Sequence, residues 1–148
     1  MRRRGVHGRR RSREAALQVL YALDLARDDD VEAAFDAVTA RFELPEGARA
    51  FAKELVAGVT RHRAELDASL GRVSRRWRVE RMPAVDRNIL RLAAYELRHG
   101  ALAREVAIDE AVELARRFGG EHSPGFVNGV LDALARHAQD PQAPQDAP

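Results

Sequence analysis

From Ser12 almost to the end of the chain, apolar residues recur with a period near 3.6, and no segment alternates with period 2 over a strand's length. Ala16, Leu17, Leu20, Tyr21 and Leu25 form the first stripe, with Ser12 placed to cap it and Glu14 in its first turn. The acid run Asp28–Asp30 breaks that helix and is placed to cap the next, whose inner face carries Ala34, Phe35, Val38 and Phe42. Pro45 and Gly47 punctuate. Phe51, Leu55 and Val59 then continue into Leu66, Leu70 and Val73, with a bend expected near Thr60–Arg63. A short apolar link holds Trp77 and Val79, and Met82-Pro83 puts proline at a helix start.

Residues 83–99 give the cleanest pattern, a broad face of Val85, Ile89, Leu90, Leu92, Ala93 and Leu97, ended by Gly100. Ile108, Ala111, Val112, Ala115 and Phe118 form a further stripe, closed by Gly119-Gly120. Ser123-Pro124 then reads as a cap followed by a first helical residue, opening a last helix through Phe126, Val127, Val130, Leu131 and Leu134. The pattern predicts an all-α fold of six to seven helices packed as bundles. A single helical domain is expected over 12–138, with a basic, flexible arm at 1–11 and a disordered Pro-rich tail at 139–148.

Composition agrees with this picture and narrows it. The 148 residues suffice for one domain with a core, and 5% aromatic residues favour helix over sheet. No apolar run reaches the roughly 18–20 residues of a membrane span. Cysteine is absent, which excludes disulfides, thiolate catalysis and Cys-based zinc sites and fits a reducing, cytoplasmic setting. The net charge of +2 conceals a polarity: residues 1–13 hold seven Arg and no acid, whereas the remainder holds eighteen basic and twenty-three acidic groups. A basic arm on an acidic body points to a polyanion, nucleic acid first, with a merely solvated tail as the plainer reading. A secretory signal is not expected, because Glu14, Gln18 and Asp24 interrupt the apolar stretch after the arginines.

No catalytic constellation is found. The chain has no H-E-x-x-H, G-x-S-x-G or phosphate-loop motif, and its histidines are dispersed. Glu96 and His99 have the E-x-x-H spacing of di-iron bundles, but no second such pair exists, so a surface helix end with His near the dipole is the better account. No catalytic residue, metal site or cofactor is therefore expected. Recognition is what the residues support. Arg9, Arg10, Arg11 and Arg13 lead into a helix and can pair with RNA phosphates. Arg72, Arg75, Arg76, Arg78 and Arg81 flank Trp77, an arrangement that suits single-stranded nucleic acid, although Trp77 as a core anchor between bundles is the preferred reading. At Gly119–Pro124, His122 and the nearby Arg116 and Arg117 suggest an electropositive ledge beside a helix start.

Three blocks, RRRSREAALQVLYALDL, VDRNILRLAAYEL and AIDEAVELARRFGGEHSPGFVNGVLD, resemble the NusB family of bacterial transcription antitermination factors over roughly residues 9–135. The resemblance implies an all-α fold of two small packed helical bundles and no catalytic activity. It implies binding to the boxA element of nascent ribosomal-RNA transcripts. The implied partners are the small-subunit ribosomal protein that acts as NusE and the antitermination complex on RNA polymerase. Carried over by residue, it makes Arg9, Arg10, Arg11, Arg13, Gln18, Phe118 and Phe126 RNA-binding, and Asp86 and Tyr21 partner-facing; His122 joins the RNA-binding set through the charge of its loop. Asp86, in the first turn of its helix, is expected to reach solvent; Tyr21 is weighed more as half-buried core than as contact. His122 stands where relatives can carry an acid, and Arg72–Met82 matches the family poorly. The alternatives are a detached RNA-binding domain of a ribosomal-RNA cytosine methyltransferase, for which the chain lacks a Rossmann-like half, and a helical protein–protein adaptor.

Overall fold

The stripes become seven α-helices and one 3-10 turn among the described residues, with no strand. The computed structural model describes the backbone of residues 2–27 and 29–139 and the side chains of 8–27 and 29–137. In order these are α1 (Arg2–Ala26), α2 (Val31–Thr39), α3 (Glu46–Arg61), α4 (Arg63–Val73), a 3-10 turn (Val79–Arg81), α5 (Ala84–His99), α6 (Arg104–Phe118) and α7 (Ser123–Gln139). None of these helices is long and apolar enough to cross a membrane. The expected Pro-rich tail lies outside the described residues from 140 onward. Contacts divide the chain into two compact units, one ending at Arg61 and the other beginning at His62, where periodicity alone leaves 12–138 as one helical domain.

In the first unit α1 packs on α3 and α2. Its inner face is Ala15, Ala16, Leu17, Val19, Leu20 and Leu23, all buried, against Phe35 of α2 and Ala48, Ala52, Leu55, Val56 and Val59 of α3. Small residues let the helices approach closely: a Cβ on Gly8 would lie 3.8 Å from Ala48 Cβ. Tyr21 and Leu25, expected on the inner stripe, face out at 36% and 59% exposure; Val19 and Leu23 take their places.

A further correction concerns the start of α1. The helix begins at Arg2, so the backbone of 2–11 forms its first turns. Ser12 therefore lies mid-helix and caps nothing. Its hydroxyl turns back to the Gly8 carbonyl oxygen (2.8 Å) and across to the Ala48 carbonyl oxygen (2.7 Å), so it donates to one or the other. Asp30 does cap α2, its carboxylate accepting from the Ala33 N–H at 3.1 Å.

The second unit is built around α5, which packs on α4, α6 and α7. It is buried on nearly every side: Ile89, Leu90, Leu92, Ala93 and Ala94 are buried, as are Leu66 and Leu70 of α4, Ala111 and Ala115 of α6, and Val127 and Leu131 of α7. The pattern of apolar residues misses that α5 also buries charge. Arg91 is 4% exposed and forks onto Asp67, Nε to Oδ1 at 2.7 Å and Nη2 to Oδ2 at 2.9 Å, with Nη1 donating to Asn88 Oδ1 at 3.3 Å. A bidentate pair of this kind satisfies the guanidinium well enough to be carried inside. The bend expected near Thr60–Arg63 is a break at His62, where α3 has ended and α4 has yet to begin.

Trp77 is no core anchor. Ser74 and Trp77 close a turn, with the Ser74 hydroxyl donating to the Trp77 carbonyl oxygen at 2.9 Å, and the indole is 53% exposed. Val79 and Met82 fill the core in its stead.

Candidate nucleic-acid interface

On α1 the helical period sorts the arginines. Arg9 and Arg13, one turn apart, both lie over the Phe51 ring, their guanidinium carbons 4.2 and 5.6 Å from its centroid. Arg9 stays exposed, but Arg13 is only 4% exposed, so its guanidinium takes part in the packing of α1. Arg10 and Arg11 are exposed, with Arg11 5.9 Å from the centroid of Phe42. Gln18 is half-buried and follows Arg11 by seven residues, which puts both on one face about 10 Å apart. Tyr21 and Leu25 continue roughly the same face. The aromatic platform Phe51 was not legible from the first helix; its only signal is an aromatic side chain in the first turns of α3.

In the second unit the loop between α6 and α7 is closed by one serine. Gly119 ends α6, its N–H donating to the Ala115 carbonyl oxygen at 2.9 Å. No described glycine has a positive φ, so the pair is not needed for a left-handed turn. Close approach requires Gly119 alone: a Cβ there would lie 2.5 Å from Ser123 Cβ and 2.8 Å from the Ala115 carbonyl oxygen, whereas one on Gly120 would sit 3.9 Å from Ser123 Oγ. Ser123 is the first residue of α7 rather than its cap, and the first helical bond runs from the Phe126 N–H to the His122 carbonyl oxygen. The Ser123 hydroxyl oxygen accepts from the Gly120 N–H (2.9 Å) and its proton goes to Asp86 Oδ1 (2.7 Å).

That last bond corrects the reading of Asp86. Its carboxylate is 5% exposed and holds the loop from the start of α5, so it does not reach a partner through solvent. Around the loop, His122 and Glu121 are exposed, while Phe118 and Phe126 are half-buried. The electropositive ledge is weaker than expected, because Arg116 pairs with Glu113 at 2.8 Å and Glu121 adds a negative charge beside His122. Arg117 leans over Phe118, 5.7 Å from the ring centroid. Phe126 meets the exposed Trp77 edge to face at 6.4 Å, so an aromatic pair stands at the surface next to the arginines of the Ser74–Met82 link. An open cavity of about 590 Å³ adjoins it, lined by Arg63, Asp67, Ser74, Arg75, Trp77 and Arg78 among others. The arrangement offers cations and rings to a ligand.

The family model described as "NusB family" matches residues 10–136, nearly the whole of this helical array. The chain belongs to the NusB family. Transcription antitermination protein NusB of Solibacter usitatus is 50% identical over 142 residues, covering 92% of this chain and 94% of that one. Among solved structures, NusB of T. maritima superposes with a TM-score of 0.80 at 35% identity, covering 93% of this chain and 94% of that chain. A chain from the crystal structure of antitermination factors NusB and NusE in complex with dsRNA superposes with a TM-score of 0.80 at 29% identity, covering 88% and 97%. The all-α architecture is thus that of the NusB family, and the match runs through both candidate regions, Arg10–Tyr21 and Phe118–Phe126.

Proposed function

We propose that this NusB-family chain is a non-catalytic RNA-binding antitermination factor that works in the cytoplasm. It binds the boxA element of nascent ribosomal-RNA transcripts together with the ribosomal protein acting as NusE, and so helps assemble an antitermination complex on RNA polymerase. The single observation that carries the reading is the cluster of exposed Arg9, Arg10 and Arg11 on the opening turns of α1, in a family with a member solved with NusE and dsRNA. A helix that already holds these guanidiniums in place lowers the ordering cost of RNA binding. Gln18 extends that face, and His122, Phe118 and Phe126 offer a second contact at the α6–α7 loop. Tyr21, exposed beside Leu25, is the partner-facing element on α1.

The test is a salt titration of binding to boxA-like single-stranded RNA, with and without the ribosomal protein. With about five phosphates neutralised, the log–log slope should be near −3.5, and changing Arg9, Arg10 and Arg11 together to Ala should flatten it by roughly two units. The ribosomal protein should tighten binding by the parent chain. An unchanged slope in the triple variant would remove α1 from the RNA contact. A Phe126→Leu variant that binds as tightly as the parent would reduce Phe126 to a core residue.

A further inference from the structure

The E-x-x-H pair of α5 is split by the fold, since Glu96 is buried and His99 is exposed. His99 finds other company. It is the last residue of α5, and the packing of α4 on α5 sets it against His62, just before α4, and Glu65 in the first turn of α4. The two imidazoles stack with centroids 4.3 Å apart and an interplanar angle of 22°, and Tyr95 supports His99 at 5.1 Å. One ligand-capable atom from each of His62, Glu65 and His99 lies within 4.8 Å of the others.

We propose that His62, Glu65 and His99 bind one zinc ion that clips the start of α4 to the end of α5. Two imidazoles and a carboxylate are a common donor set for this metal, and three protein ligands leave a fourth position for water. Ligands at zinc distances on a tetrahedron sit about 3.3 Å apart. His62 Nδ1 and Glu65 Oε2 are already 3.3 Å apart, long for a charge-assisted hydrogen bond but right for two ligands of one ion. His99 needs only a small rotation to join them. Arg98 fixes the carboxylate from behind, Nη1 donating to Glu65 Oε1 at 2.6 Å, which leaves Oε2 for the metal. The carboxylate charge and the negative end of the α5 dipole favour a cation here, whereas Arg98 and the start of α4 oppose it.

The experiment is calorimetric titration of zinc chloride into the full chain after chelator treatment, in parallel with thermal unfolding. One zinc per chain should bind, and the midpoint of unfolding should rise. His99→Ala and His62→Ala should each weaken binding about tenfold or more and abolish the rise, with helix content unchanged by circular dichroism. Glu65→Gln should weaken binding without removing either ring, and His122→Ala should bind as the parent does. Unchanged affinity in His62→Ala and His99→Ala overturns the proposal. So does loss of binding in His122→Ala, or no zinc uptake by the parent at millimolar metal.

Discussion

Among the described residues two hydroxyls join helices, one in each unit, and they do so in different currencies of charge. Ser12 bridges α1 to α3 through carbonyl oxygens, a neutral bond laid across two intact helices. Ser123 stands in a directed chain, Gly120 N–H to hydroxyl to Asp86 carboxylate, across a loop whose backbone has few other internal bonds. The arginines of α1 therefore rest on a continuous helical ladder, which survives loss of any one bond. The residues of the α6–α7 loop rest on one backbone bond, from the Ser123 N–H to the Gly120 carbonyl oxygen, one serine side chain and the buried charge beneath it. The two candidate recognition regions thus differ in how firmly they are held.

The contrast breaks most visibly at Asp86. Asp86→Lys would bury an unpaired ammonium and orphan the serine hydroxyl, and should cost about 3–5 kcal/mol of stability in urea unfolding followed by circular dichroism. A stable, folded variant would mean that the carboxylate is a surface group after all. Next in size is the comparison of the serines themselves. Ser123→Ala removes a charge-assisted bond from the buried Asp86 carboxylate, about 2 kcal/mol, whereas Ser12→Ala should cost about 1 kcal/mol. Amide exchange should quicken at Gly120 in the first variant and stay protected along α1 in the second; equal costs would erase the distinction. The smallest effect belongs to Arg9→Ala, an exposed cation over Phe51, at about 0.5 kcal/mol of stability. Its salt slope for RNA should nonetheless flatten by roughly 0.7.

Helix order and the apolar faces of α5, α6 and α7 could be read from spacing because burial follows the helical period. Ser12 and Ser123 misled for one reason: both stand before an apolar stripe as caps do, but the sequence does not display the preceding turns of α1 or the carboxylate waiting across the loop. Trp77 misled because a large ring between bundles suggests core, while the turn at Ser74 points it outward. The Arg91–Asp67 fork and the Phe51 platform join residues 24 and roughly 40 positions apart, beyond the reach of any local pattern. Of the candidate RNA positions, exposure of Arg9, Arg10, Arg11 and His122 followed from the sequence, and burial of Arg13 did not.

Because α1 runs unbroken from Arg2 to Ala26, it works as a ruler with a rotational phase. Inserting a single residue between Arg13 and Gln18 would turn everything before it by about 100° and shift it by about 1.5 Å relative to Tyr21 and Leu25. The basic end would then face elsewhere while every side chain kept its identity. Substitutions along the outer face can accumulate one at a time, but a change of length within this helix alters all of its exposed positions together. The spacing between Arg11 and Tyr21 is thus under a stricter constraint than any residue within it.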